Sequence, residues 1–198
     1  MEKYESFIAD PRWEKKLRSD LSKDRYEHTL RVASTAYDLA QIHGVDTRKA
    51  SIAGYLHDCA KNYKDKKLLK YAKKYHIAIS EAEEDNTDLL HAKVGAYIAR
   101  DWFEVEDSDI FNAIAHHTTG RPSMSQLEKI IYISDYTEPG RKHRGRLDLI
   151  RQTAREDIDQ TMLYILEDTL EYLSKKSKTK DPLTKEAYHY YNQVRKDF

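Results

Sequence analysis

The 198-residue sequence holds a single cysteine, Cys59. No disulfide can form within the chain, and a structural zinc site built from thiolates is disfavoured. It has only four prolines and six glycines. Between them apolar residues recur at spacings of three and four, the helical period, so the fold class read from the sequence is all-α. It has no net charge: 34 Lys and Arg balance 34 Asp and Glu, with an isoelectric point near 7.1. No whole-molecule basic field exists to grip nucleic acid, and any anionic ligand must be held locally. No apolar stretch approaches the roughly 20 residues that span a bilayer, and Met1-Glu-Lys-Tyr-Glu-Ser-Phe7 lacks the apolar run of a signal peptide. The expectation is a soluble cytoplasmic protein with no membrane or nucleic-acid partner. No internal repeat is visible, and the length suits one domain with a sizeable core. Phenylalanine is scarce, four against fifteen tyrosines, a bias suited to amphipathic packing at a wet surface.

What is present reads as a chain of helices. Asp10-Pro11 is an N-cap followed by proline at the first helical position, opening a short helix through Trp13 and Leu17. A second helix spans about Asp24 to Ile42, with Tyr26, Leu30, Ala33, Ala36 or Tyr37, and Ala40 facing inward, and it stops at Gly44. Asp46 caps a third that carries Ala50, Ala53, Gly54 and His57. A fourth starts near Asp65, and the acidic run Glu81 to Asp88 reads as loop. Helices follow from about Asp88 to Phe103 and from Ser108 to His117, the latter closed by Thr118-Thr-Gly-Arg-Pro122. Ser125-Gln-Leu-Glu128 is a capping box that opens a helix delivering Asp135 before Pro139-Gly140. A helical region from Leu147 to about Leu173, a Lys- and Ser-rich link and a terminal helix capped by Asp181-Pro182 complete the chain. No domain boundary is evident.

Four side chains with metal-ligand chemistry fall on inward faces of three of these helices: His28, the adjacent pair His57-Asp58, and Asp135. A charge or imidazole on an inward face needs a partner, and a metal ion is one. Two histidines and two aspartates suit divalent iron, manganese or zinc and leave coordination positions for water and a substrate oxygen. Cys59, one residue past Asp58, should turn roughly 100° away on a helix. His91 and the pair His116-His117 lie at helix ends, where imidazole can ligate a second metal, meet phosphate, or protonate a leaving group. Arg141 can clamp phosphate in bidentate fashion, and Lys61 lies one turn beyond the His-Asp pair. Taken singly, each histidine is more often a satisfied core or surface side chain; the joint arrangement is the signal. His43, His76, His143 and His189 sit in polar or loop surroundings and receive no role.

In order, spacing and helical setting, His28, His57-Asp58 and Asp135 resemble the H…HD…D signature of the HD-domain superfamily of metal-dependent phosphohydrolases. The resemblance is greatest to the bacterial YqeK family of symmetrical diadenosine tetraphosphate hydrolases. It is carried by Arg25-Tyr-Glu-His-Thr-Leu-Arg-Val32, Lys49 to Lys61, Leu90-His-Ala-Lys-Val-Gly-Ala96, Ala113-Ile-Ala-His-His-Thr-Thr-Gly120 and Met124 to Arg141, and covers about residues 20 to 195. It implies a single HD-type helical bundle, with a metal core at about 20–145 and helices of 146–198 completing a nucleotide pocket. It implies iron, or manganese or another divalent metal, held by His28, His57, Asp58 and Asp135, and cleavage of a dinucleoside tetraphosphate at its centre into two ADP. Arg25, Asp58, Cys59, Ala60, Lys61, His91, His117, Thr118, Asp135 and Arg141 would surround the phosphates or ribose, with ADP as product ligand. Lys178, Thr179, Lys180, Asp181, Pro182 and Leu183 would line the nucleoside end, although this segment matches least well. The catalytic roles fall to Asp58, His91, His117 and Arg141: orienting the attacking water, protonating the leaving oxygen or holding a second metal, and taking up developing charge. The departures, Cys59 where a larger residue is usual and Ser134 where alanine is usual, touch no ligand position.

The rival readings are an HD phosphohydrolase acting on a nucleoside monophosphate, deoxynucleotide or cyclic dinucleotide, a nucleotide-binding regulator without turnover, and a plain helical interaction protein. Tyr188, Tyr190, Tyr191 and Trp102 offer apolar surface for a homodimer.

Overall fold

A computed structural model describes residues 3–142 and 145–194; His143 lies outside them. Among the described residues there are helices and no strands. A 3-10 turn, Lys3–Phe7, precedes α1 (Pro11–Asp20), where Asp10 accepts from the Arg12 N–H and Pro11 stands at the first turn. Ser22 caps α2 (Lys23–Ile42), which ends at Gly44 with φ +67°, a left-handed conformation that glycine adopts without steric cost. Asp46 caps α3 (Thr47–Leu56) by accepting from the N–H groups of Arg48 and Lys49. Next come α4 (Asp65–Lys74), α5 (Glu81–Asp85), a 3-10 turn Thr87–Leu89, α6 (Leu90–Phe103), α7 (Ser108–His116) and α8 (Gln126–Thr137). The chain closes with α9 (Leu147–Thr153), α10 (Ile158–Lys175) and α11 (Pro182–Val194).

Two stretches differ from the sequence reading. Glu81 to Asp88 is not loop: Ser80 and Glu83 form a reciprocal capping box, and the acidic first turn of α5 suits the positive end of the helix dipole. Five residues are too few to show an apolar period, which is why the pattern was silent. The region after Leu147 divides in two, because Asp157 adopts extended backbone and caps α10 by accepting from the Gln160 N–H. In α2, Tyr26, Ala33, Ala36 and Ala40 face the core as read, while Leu30 and Tyr37 are only partly covered and Thr29, Val32 and Leu39 complete the stripe.

The centre of the bundle is α3, buried from Ala50 to Leu56 and enclosed by α2, α7 and α8. Each large side chain sealed here, such as Tyr55, Leu56, Ile114 and Ile131, contributes about 1.5–3 kcal/mol through removal of apolar surface from water. The closest approach is between α2 and α3. A Cβ on Gly54 would lie 2.9 Å from the Cα of Ala33, so glycine is what lets these two backbones meet. Against α8 lie α9 and α10, and α11 covers α10. That arrangement brings one residue from α2, two from the end of α3, and one each from α6, α7 and α8 toward a common point.

Candidate metal centre

His28 projects from α2, His57 is the C-cap of α3, and Asp58 follows in the next turn; His91 sits in the first turn of α6, His117 just past α7, and Asp135 near the end of α8. The Nε2 atoms of all four histidines turn toward the two carboxylates. Asp58 Oδ2 lies 3.4 Å from His57 and 3.8 Å from His28, while its Oδ1 lies 3.1 Å from His91 and 3.6 Å from His117. Asp135 Oδ1 is 3.0 Å from His28 and 3.9 Å from His57. Asp58 therefore offers one oxygen to each of two clusters. Donor atoms lie within 4.8 Å of one another in three overlapping sets: His28, His57 and Asp58; His57, His117 and Asp135; and Asp58, His91 and His117.

The opposite ring nitrogen of every histidine is anchored. His57 Nδ1 donates to Gly54 O at 2.7 Å and His117 Nδ1 to Ile114 O at 2.8 Å, His91 Nδ1 donates to Asp88 O, and His28 Nδ1 meets Glu138 Oε1 at 3.1 Å. A carbonyl or carboxylate can only accept, so the proton belongs on Nδ1 and the lone pair on Nε2. This orientation is the one that metal-ligating histidines require. The residues fit a metal by a second observation: His28 Nε2 and His57 Nε2 are buried without a hydrogen-bond partner, a state that otherwise costs about 1–3 kcal/mol per group.

Electrostatics agree. Burial would raise the Asp58 carboxyl, but the charge of His57 and the adjacent imidazoles of His117, His57 and His91 outweigh it and hold the group well below the carboxylate range. Burial likewise opposes ionisation of Asp135, and the adjacent His28 imidazole with the charges of His57 and Arg141 pulls it far down. Burial would lower His57, yet the Asp58 and Asp135 anions beside it leave it raised; a metal ion at Nε2 would compete with that proton. For His117 burial prevails and the imidazole is held neutral, the ligand form. Two anions thus face a ring of imidazoles, and a divalent cation balances that charge.

Cations rim the site. Arg25 donates to Asp58 Oδ2 at 2.8 Å, Arg141 to Asp135 Oδ1 at 2.5 Å, and Lys61 to Asp88 Oδ2 at 2.6 Å, 3.4 Å from His91 Nδ1. A cavity of about 710 Å³ opens beside His28 and Asp135, with Arg25 and Arg141 in its wall. A smaller one of about 190 Å³ is lined by His117, Thr118 and Asp135. Other residues singled out in the sequence stand apart. Cys59 turns away, as its position predicts, and donates to Gly95 O; Ala60 is core. His116 is turned toward Glu128, at 3.3 Å, so of the adjacent histidines His117 alone enters the centre. Residues 178–183 line neither cavity: Thr179 meets Asp85, and Asp181 accepts from Ser80 and from the Leu183 N–H while packing on α5.

Three contributors escaped the sequence reading. Glu138 is 2 % exposed and takes His28 on one oxygen and Arg31 Nε at 2.5 Å on the other; Arg31 and Asp88 are the other two. The available signal was a carboxylate at the C-terminal end of a helix, where the dipole disfavours negative charge.

A helical core that turns histidine and aspartate donors toward a shared point defines a class of metal-site helical proteins. The chain belongs to the HD domain family, whose model matches residues 25–140. Among its relatives is the symmetrical bis(5'-nucleosyl)-tetraphosphatase of Halalkalibacterium halodurans, 38% identical over 174 residues that cover 88% of this chain and 90% of that protein. The protein of the same name from Bacillus subtilis is 37% identical, covering 88% and 92% of the two chains. The crystal structure of a predicted HD superfamily hydrolase involved in NAD metabolism from Clostridium acetobutylicum superposes with a TM-score of 0.88 at 37% identity, over 98% of this chain and 99% of that one.

Proposed function

We propose that this protein is a metal-dependent phosphohydrolase that cleaves diadenosine tetraphosphate symmetrically, releasing two ADP. The observation that carries the reading is the convergence of four histidine Nε2 atoms, two of them buried without a hydrogen-bond partner, on Asp58 and Asp135, beside a cavity whose wall holds His28, Asp135, Arg25 and Arg141. The names of relatives that match nearly nine-tenths of the chain point the same way.

His28, His57, Asp58 and Asp135 would hold one metal, and Asp58, His91 and His117 a second. Such an ion supplies Lewis acidity, making water acidic enough to lose a proton near neutral pH and polarising a phosphoryl oxygen. Iron is our assignment, with manganese or another divalent ion as the alternative, because imidazole and carboxylate suit that series and no thiolate is offered. The bridging P–O bond between the two inner phosphates breaks, the water oxygen joins one phosphorus, and a proton is released. Arg25 and Arg141, already beside the two carboxylates, would turn toward phosphate oxygens and offset the charge that develops. Lys61, held at Asp88, adds a further cation on the His91 side. Asp58 orients the attacking water, and His117, neutral and buried, is placed to exchange a proton with the leaving oxygen if it is not a ligand. ADP remains as a product ligand. A cytoplasmic location accords with the free, buried thiol of Cys59, and a homodimer through the exposed aromatic rings of Trp102 and Tyr190 is part of the same proposal.

Anaerobic purification with metal analysis, followed by chromatography of products from diadenosine tetraphosphate, tests the reading. ADP as the sole product supports it; AMP with ATP refutes it. A His57→Ala variant that turns over without metal would refute the metal assignment.

A further inference from the structure

Asp135 and Arg141 are joined by the end of α8 and a turn, residues 137–141, that also carries Glu138. A helix end leaves carbonyls that none of its own N–H groups can reach. Three carbonyls of this turn converge on one side chain from α9, Arg151. Its Nε donates to Thr137 O at 2.9 Å, and its Nη2 donates to Glu138 O at 3.0 Å and to Arg141 O at 3.2 Å. The remaining nitrogen, Nη1, faces the Asp148 carboxylate at 3.6 Å. One guanidinium thus spans the turn from its first residue to its last, and its charge suits the negative end of the α8 dipole. The side chain is 31 % exposed and lines neither cavity, so its role is not contact with what those cavities hold.

The Arg141 side chain leaves this turn toward Asp135, with Nε on its backbone carbonyl at 2.9 Å and Nη2 on its carboxylate at 2.5 Å. That placement depends on the Arg141 backbone, whose carbonyl Arg151 grips. We propose that Arg151 is a positioning residue for the hydrolysis: it fixes the 137–141 turn so that the Arg141 guanidinium stands where a substrate phosphate arrives. The inference rests on the reading that Arg141 meets phosphate, and it adds a residue of α9 that acts through Arg141 without touching the substrate. Misplacing such a group by about 1 Å costs on the order of 100-fold in rate. Lysine is no substitute at 151. Carbonyls four positions apart are reached by two nitrogens of a rigid planar fork, and an ammonium has only one nitrogen.

A double-mutant cycle tests it. Wild-type protein, Arg151→Ala, Arg151→Lys, Arg141→Ala and the Arg151→Ala/Arg141→Ala pair are loaded with metal to equal content. Each is titrated calorimetrically with inorganic pyrophosphate and assayed on diadenosine tetraphosphate. Arg151→Ala and Arg151→Lys should each bind pyrophosphate about tenfold more weakly, the size of one charge-assisted hydrogen bond lost, and kcat/KM should fall about 10- to 100-fold. In the Arg141→Ala background the same Arg151→Ala change should cost about twofold or less, because the residue it serves is already gone. Added guanidinium ion should restore part of the Arg151→Ala activity and methylammonium should not, a difference that a general loss of stability does not produce. Arg151→Lys keeps the stem and the charge, and carries the test if Arg151→Ala does not fold. Pyrophosphate affinity and kcat/KM that stay within about twofold of wild type in both variants overturn the inference. So does a loss as large in the Arg141→Ala background as in the wild type. The two readings fail separately. Wild-type protein that forms no ADP, yet shows the coupling in pyrophosphate binding, keeps Arg151 in its role and loses the proposed activity. Cleavage to ADP with no coupling does the reverse.

Discussion

His28 and Glu138 stand 110 positions apart and meet through a 3.1 Å contact between Nδ1 and Oε1. The contact fixes which nitrogen of His28 faces Asp135, and the second oxygen of Glu138 is tied to Arg31 and to the Gly140 N–H at 2.5 Å. Glu138 touches no reacting atom, so it acts as a positioning residue. Glu138→Gln should weaken metal binding by about 10- to 100-fold, the usual cost of losing such a partner. Competition against a chelator of known affinity measures it, with circular dichroism to confirm the fold. An unchanged metal affinity would remove Glu138 from the design.

Asp58 gives an oxygen to the His28–His57 side and the other to His91 and His117. Metal content should reflect that division. His91→Ala and His117→Ala should each lower metal from two ions per chain to one, whereas Asp58→Ala should lose nearly all of it. Elemental analysis of protein purified without oxygen decides. Wild-type metal content in His91→Ala would deny the second ion.

Gly54→Ala places a methyl group 2.9 Å from the Ala33 Cα and 3.2 Å from the Val32 carbonyl oxygen. Backbone cannot yield as a side chain tip can. Unfolding free energy should drop by about 1–3 kcal/mol and Tm by roughly 2–12 °C. Because α2 carries His28 and His57 caps the C-terminus of α3, with ring centroids 5.3 Å apart, metal affinity should fall as well. A Tm within a degree of wild type would show that the helices can separate freely.

Glu128 is buried, which would raise its pKa, yet hydrogen bonds from His116, Arg121 and the Ser125 backbone hold it down to about 2 against an ordinary 4.5. A folded pKa below the unfolded one means that the ionised group stabilises the fold above pH 4.5 and that this contribution is lost as pH falls from 4.5 toward 2. Glu128→Gln should be less stable than wild type at neutral pH, and the gap should narrow over that acid window. Urea unfolding at pH 7, 4.5 and 2.5 follows it; a gap independent of pH would contradict the account.

Ser134 Oγ is buried without a partner. Ser134→Ala removes an unsatisfied group without opening a cavity, so stability should be unchanged or rise by about 1 kcal/mol. A thermal melt that falls by several degrees would mean that the hydroxyl is satisfied in solution.

Much of the fold was legible because its signals are local. Asp10, Asp46 and Ser125 each accept from an N–H two or three positions on, and such a bond depends on neighbours in the chain. The Ser80–Glu83 box is equally local, but the five-residue helix it opens is too short to show an apolar period. The four ligand candidates were legible because imidazole and carboxylate on apolar faces demand a partner. Which of His116 and His117 enters the site was not, since one residue along a helix swings a side chain by about 100° and only the position of α7 against α3 and α8 sets the direction.

The sequence alone determined that the chain is helical, where many of its helices begin and end, and which side chains offer metal-ligand chemistry on inward faces, because periodicity, caps and residue chemistry act over a few neighbouring positions. Tertiary structure decided that Asp58 serves two clusters and that Glu138 orients His28. It also decided that Thr179 and Asp181 bond to Asp85 and Ser80 at α5, that residues 178–183 line neither cavity, and that the larger cavity runs from the arginines to Tyr172. Those outcomes rest on pairings between residues 26 to 110 positions apart, which no local pattern encodes and which appear only when packing of α3 against its neighbours brings the helix ends together.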